Sequence, residues 1–181
     1  MKFEKWKIFL NFAVCILQFA IFISPSPAGM AVQTCFSPYG KCASHILREI
    51  GRAEKELLVA VYAFTSDELA WSLVKAVQRG VKVQVIVDRE FDAANETSKR
   101  SFLEQQRISV RRVTGLERGK SPGLMHQKFA VIDRKIVLTG SYNWTASAEA
   151  YNDENLLLFR DAGALAEEYR KEFFRIWEKK P

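Results

Sequence analysis

The chain has 181 residues, enough for one ordinary domain, and carries neither an internal repeat nor a low-complexity tract, which excludes a solenoid and a disordered scaffold. Apolar residues make up 48% of it, as a globular fold requires. The formal net charge is +6; Lys2, Lys5 and Lys7 against Glu4 put +2 of this in residues 1–28 and leave +4 for the rest, a mild bias toward anionic partners that does not choose between nucleic acid and anionic lipid.

Residues 1–28 read as a targeting segment. Three lysines precede an apolar stretch from Ile8 to Ile23, and Ser24-Pro25-Ser26-Pro27-Ala28 breaks it with small residues. This is the layout of a secretory signal peptide, with cleavage expected after Ala28 or Ala31 and a periplasmic or secreted product. The alternative is an uncleaved membrane anchor over residues 8–23, which is short for a full span. Cys35 and Cys42 follow. An even pair in an exported domain suggests a disulfide closing a short loop. Zinc is the competing idea, with His45 as a third ligand, but a structural zinc site wants four.

The domain is expected over 35–180. Residues 43–55 pattern as a helix with Ile46, Leu47 and Ile50 on one face. Leu57 to Phe64 is a continuous apolar run, as for a strand buried on both sides. Asp67 is the expected cap of the next helix, lined by Leu69, Leu73, Val74 and Val77. Val81 to Val87 is a second strand, closed by Asp88. Residues 94–107 read as a polar helix anchored by Phe102 and Leu103, and Ile108 to Val113 as a third strand carrying Arg111 and Arg112. Alternating strands and helices predict an α/β domain: a mixed, mostly parallel sheet flanked by helices. Thr114 to Leu124 is a loop whose Arg118 and Lys120 are placed to touch a substrate backbone or to be merely solvated. A short helix over 146–151, a strand over 154–159 and an amphipathic helix over 161–179 complete the chain, the last with Leu165, Tyr169, Phe173, Ile176 and Trp177 on its apolar face.

Residues 126–143 carry the chemistry. Phe129 to Ile132 and Ile136 to Leu138 are strands joined by the polar triplet Asp133-Arg134-Lys135, a hairpin without a turn glycine. Strand alternation points His126 and Lys128 the same way, and likewise Ser141 and Asn143 if the second strand runs that far; Asp133 has the opposite parity and, if the first strand holds to that point, belongs at the turn. An ammonium, a hydroxyl and a carboxamide beside an imidazole suit a phosphate: Lys supplies fixed charge, Ser and Asn neutral donors, and His a nucleophile or proton carrier near neutral pH.

The full spacing, His-x-Lys-x4-Asp-x6-Gly-Ser-x-Asn, resembles the signature of the phospholipase D superfamily. With Asn152-Asp153-Glu154-Asn155 and the basic aromatic C-terminal helix, it is similar to the single-motif members, the bacterial metal-independent endonucleases and the mitochondrial phospholipase-D-like proteins. The resemblance implies a catalytic set of His126, Lys128, Asp133, Ser141, Asn143 and Glu154. In it His126 is the nucleophile that forms a phosphohistidine. Lys128 and Asn143 hold the phosphate oxygens with support from Ser141, Glu154 orients the imidazole, and Asp133 is structural. The family's two steps use two active-site histidines. His45, the only other one here, matches no part of the motif, so the second imidazole is expected from His126 of the partner subunit in a two-fold homodimer. No cofactor is expected, since the motif holds no carboxylate cluster for divalent cations. These features together predict an exported nuclease acting on DNA or RNA, with a phospholipid hydrolase at an anionic membrane as the alternative and a non-catalytic nucleic-acid-binding module as a third reading. Arg111, Arg112, Arg118 and Lys120 lean toward the nuclease.

Overall fold

The structure, a computed structural model, describes residues 29–118 and 121–179, with the side chains of 117–122 excepted. The expected targeting segment and Lys120 lie outside the described residues. Seven strands form one sheet in the order β1-β9-β8-β7-β2-β3-β4. The elements in its parallel part are β2 (Glu56–Val61), β3 (Lys82–Asp88) and β4 (Ser109–Val113), joined by α2 (Asp67–Gln78), α3 (Arg89–Ala94) and α4 (Arg100–Gln105). The antiparallel part holds β1 (Ala31–Ser37), β7 (Lys128–Ile132), β8 (Ile136–Gly140) and β9 (Glu154–Arg160). The sheet is therefore mixed, as expected, but not mostly parallel: the pairings β1·β9, β9·β8, β8·β7 and β7·β2 are all antiparallel. The helical crossovers enforce parallel strands only in the first half; the motif half is built on a tight turn, which forces antiparallel pairing.

Strand β2 explains the continuous apolar run. Leu57, Val59 and Val61 pack with α1 (Cys42–Arg52) and α2 on one face. Leu58 and Ala60 pack on the other face with α6 (Gly163–Trp177) through Ala166, Phe173 and Ile176. Phe173 is fully buried, and truncating such a side chain to Ala costs about 3–5 kcal/mol. The apolar stripe expected on the C-terminal helix is the one that packs, with Leu165, Tyr169 and Trp177 half-buried at its edges. Two charges inside the fold are paired: Glu49 takes Arg160 at 2.6 Å, and Glu56 takes Arg170 at 3.0 Å.

Several local expectations change. The sheet begins at Ala31, ahead of residue 35, because Val32 to Ser37 pair along the whole of β9. The helix expected over 94–107 is confined to α4, Arg100–Gln105, and α3, Arg89–Ala94, precedes it where no helix was expected. Between them the Asn95 side-chain oxygen accepts from the Thr97 N–H at 3.0 Å, a local turn that competes with helix. The cap of α2 is Ser66, whose Oγ accepts from the Leu69 N–H; Asp67 instead pairs with Lys99 at 2.7 Å. The loop before His126 contains a minimal pairing of β5 (Glu117–Arg118) with β6 (Ser121–Pro122). Cys35 and Cys42 are joined in a disulfide that ties the end of β1 to the start of α1, so neither is free to ligate zinc. Gly40 lies inside that loop, where any Cβ would overlap the Phe36 carbonyl oxygen. No helix among the described residues is long and apolar enough to cross a membrane.

Candidate active site

His126 sits just ahead of β7, at the edge of the sheet where β2 and β3 end. Its side chain is exposed while its backbone is pinned on three sides. The Met125 N–H donates to Asp88 Oδ2 at 2.8 Å, the Tyr62 N–H donates to the Gln127 carbonyl at 2.9 Å, and Lys128 Nζ donates to the His126 carbonyl at 2.9 Å. The imidazole lies against the Tyr62 ring, with centroids 4.7 Å apart. Tyr62 also carries the Lys128 ammonium over its face at 5.1 Å, within cation–π range. Lys128 is buried, and that burial pushes its pKa below the usual lysine value against the opposing pull of Glu154 and Asp88.

The far wall comes from the end of β8 and the start of β9. Gly140 has φ 149°, and a Cβ there would overlap the Asn155 carbonyl, so glycine is required where the two strands close on each other. Ser141 Oγ accepts from the Asn155 N–H at 3.0 Å and from its Nδ2 at 3.3 Å, which leaves its own proton for the pocket. Asn143 Oδ1 accepts from the Ala63 N–H at 3.3 Å. Glu154 accepts from Asn152 Nδ2 at 3.2 Å. His126, Lys128, Gly140, Ser141, Asn143 and Glu154 together line one open cavity of about 340 Å³. A second depression, toward α6, is lined in part by His126, Arg175 and Lys179, and a third by Phe36, Asp153 and Glu154.

Five of the six expected catalytic side chains thus share one cavity. Asp133 does not: it lies at the opposite end of β7, at φ 51° in the turn, accepting N–H bonds from Glu54, Lys55 and Glu56 at 2.8–3.0 Å. It belongs to the fold and leaves the catalytic set. No hydrogen bond joins the His126 ring to Glu154, although both face the same space. His45 is away from the pocket, on α1, with its Nδ1 accepting from Gln33 Nε2 at 3.2 Å. Arg111 donates to the Lys179 carbonyl and the half-exposed Arg112 pairs with Asp92 at 3.7 Å, and neither lines the cavity that holds His126; the Arg118 side chain is outside the described ones. Tyr142, beside Asn143, gives its hydroxyl to Glu149 at 2.7 Å; burial first, then this bond, drive its pKa far above the ordinary tyrosine value and remove it as a candidate acid. Among the described residues no cluster of three His, Cys, Asp or Glu is arranged to hold a metal.

Tyr62 and Asp88 were the functional neighbours that the sequence did not flag. Their signal was faint: Tyr62 is the one hydroxyl-bearing residue in a run of apolar ones, and Asp88 closes a strand. Chemically, the cavity offers an ammonium, an amide and a hydroxyl to an anion, an exposed imidazole to attack or protonate it, and one carboxylate.

Comparison with known proteins agrees with this geometry. The family model described as "Cardiolipin synthase, PLD-like domain" matches residues 46–177. "Phospholipase D" of Rickettsia prowazekii is 36% identical over 143 residues, 79% of this chain and 66% of that protein. "Mitochondrial cardiolipin hydrolase" of Homo sapiens is 37% identical over 145 residues, 80% of this chain and 54% of that protein. The chain thus spans less than two thirds of the length of these two relatives. Among solved structures, that of the phospholipase D family member Nuc from Salmonella typhimurium superposes with a TM-score of 0.75 at 27% identity, over 82% of this chain and 94% of that one. A matching family model over most of the chain, a shared fold and a cavity built from the motif residues lead to one statement: this protein belongs to the phospholipase D superfamily.

Proposed function

We propose that the chain is an exported, metal-independent phosphodiesterase that cleaves DNA or RNA through a phosphohistidine at His126, in a site shared between two copies. The observation that supports this reading is the cavity itself: an exposed imidazole facing a buried ammonium, an amide and a hydroxyl across one open space. Lys128, Asn143 and Ser141 would take the non-bridging oxygens. His126 would then attack phosphorus and expel the alkoxide, and a water would later hydrolyse the phosphorus–nitrogen bond. The expelled oxygen needs a proton, and the second histidine of this chain is not in the cavity. His126 of the partner subunit would supply it. Exposed apolar residues beside the cavity support a place for that partner. Helix α6 packs on β2, β7, β8 and β4, and beyond it β1 leaves Val32 and Phe36 exposed at 51% and 62%. With one carboxylate at the cavity, the donor set is poor for a divalent cation, which wants several hard oxygens.

A second reading is phospholipid hydrolysis by the same parts. Leu124, next to the His126 loop, is 48% exposed and Leu116 is 75% exposed, an apolar lip of the kind that meets a bilayer, and the relatives' names point the same way. Incubating purified protein with single-stranded DNA, duplex DNA and cardiolipin vesicles, each with and without chelator, separates the readings. The nuclease reading expects cleavage of nucleic acid that chelator leaves intact. Turnover of the vesicles alone selects the second reading, and dependence on added metal refutes the mechanism.

A further inference from the structure

We infer that Asp88 is a positioning residue for the His126 nucleophile, acting on the imidazole by two separate arms. Asp88 closes β3 and is fully buried, and no salt bridge to it exists among the described residues. Burying a carboxylate is costly unless its oxygens are bonded. A helix cap alone does not demand it, because Ser, Thr or Asn would cap α3 equally well. The second oxygen is the informative one. Asp88 Oδ1 accepts from the Phe91 N–H at 2.8 Å, the local cap, while Oδ2 reaches across to the Met125 N–H at 2.8 Å, a buried bond 37 positions along the chain. Met125 immediately precedes His126, so this arm fixes the backbone from which the imidazole projects.

The other arm runs through side chains. The cap starts α3, which presents Phe91. The Phe91 ring packs on Tyr62 at 5.3 Å, and Tyr62 packs on the imidazole at 4.7 Å. One carboxylate therefore sets both the origin of the His126 side chain and the aromatic wall that limits its rotation. An exposed imidazole with no bond to Glu154 in this chain has few other restraints. In-line attack on phosphorus is sensitive to such restraint, since misplacing a reacting atom by about 1 Å costs on the order of 100-fold in rate.

This inference rests on His126 being the nucleophile, and the test keeps the two apart. Asp88→Asn retains the shape but has one acceptor oxygen, so its amide must face one of the two N–H donors and that arm fails. We expect kcat for single-stranded DNA to fall roughly 10- to 100-fold per folded molecule, with KM within about twofold, because no phosphate contact is lost. Tyr62→Leu, at a half-buried position, breaks the second arm without disturbing the first and should lower kcat by roughly 10-fold. Because both arms act on one imidazole, the double variant should lose less than the product of the single losses. If Asp88→Asn melts earlier while its kcat per folded molecule stays within threefold of wild type, Asp88 is structural only and the inference is overturned. If Asp88→Asn does not fold, an unchanged kcat in Tyr62→Leu overturns it instead. A wild-type protein inert toward every phosphodiester overturns the underlying reading, and with it any nucleophile to position.

Discussion

The Asn143 side-chain oxygen accepts from the Ala63 N–H at 3.3 Å, which leaves its amide nitrogen as the free end in the wall of the cavity. The bond also ties the pocket to the segment just after β2, so the orientation is set by the fold before any substrate arrives. Asn143→Asp keeps the acceptor for Ala63 and replaces the free donor with a negative oxygen. The fold should be nearly unaffected, with a melting temperature close to wild type. A phosphate would meet repulsion where it met a donor, so kcat/KM should fall by roughly 100- to 1,000-fold, the usual loss for one oxyanion donor. Steady-state kinetics beside a thermal melt check both halves. A large drop in melting temperature would mean that Asn143 matters for folding instead.

Lys128 makes a pH prediction. The phosphate needs its ammonium form, which exists below its pKa. Burial pushes that pKa below the ordinary 10.5, and the charges of Glu154 and Asp88 only partly oppose this. The Lys128 contribution should therefore be full on the acid side of the lowered value and be lost as pH rises through it, giving an alkaline limb at a lower pH than an exposed lysine would give. Lys128→Arg stays charged throughout and should show a lower rate but no such limb. A pH profile of kcat/KM for the two proteins tests this. An identical alkaline limb in both assigns it to another group.

Asp133 makes a stability prediction. Burial would raise its pKa. The N–H groups of Glu56, Glu54 and Lys55 and the charge of Lys135 outweigh that and hold it below the ordinary 3.8. A carboxyl depressed on folding contributes its full stabilisation above the unfolded pKa and loses it as pH falls through the folded one. Asp133→Asn tolerates the positive φ but must turn its amide toward one of three donors. It should lower stability at neutral pH by about 2 kcal/mol, measured by denaturant midpoint. The kcat per folded molecule should not change. A catalytic role for Asp133 would show as a kcat defect in well-folded protein.

The site was more legible in the sequence than the sheet, and the reason is physical. His126, Lys128, Ser141, Asn143 and Glu154 lie at or just beyond neighbouring ends of three strands, β7, β8 and β9, and the spacing of a motif that resembles the superfamily signature marks them in one short stretch of chain. The Cys35–Cys42 pairing followed from an even count at a distance of seven residues, with Cys15 set aside in the apolar segment. Strand β1 was hidden because half of it is exposed edge, with Val32, Thr34 and Phe36 open to solvent, so it lacks the buried periodicity that marks β2 and β3. The late start of the polar helix, at Arg100, goes with a side-chain turn from Asn95 to Thr97 that apolar pattern does not reveal. Asp88 and Tyr62 could not be found from spacing, since Asp88 meets Met125, and Tyr62 meets His126, only across the packed sheet.

The proposed sharing of the site between two copies yields the most demanding prediction. One chain brings one imidazole to the cavity, and losing a general acid costs on the order of 100- to 10,000-fold. An isolated monomer should therefore be nearly inactive while remaining folded, since its core is complete without a partner. His126→Ala should abolish cleavage but leave binding of single-stranded DNA largely intact, because contacts to the nucleic-acid backbone come mainly from Lys and Arg. Mixing wild-type and His126→Ala chains then counts the histidines in a site. Every mixed dimer lacks either the nucleophile or the acid, so activity should follow roughly the square of the wild-type fraction once the chains have exchanged. The exposed strip on β1 gives a second handle. Phe36→Lys places a charge on the face proposed to meet the partner and should shift the protein toward monomer in light scattering with a parallel loss of rate. Activity that falls linearly with the wild-type fraction, or a Phe36→Lys monomer with full turnover, would show that each chain holds a complete site and that the proton comes from a group within it.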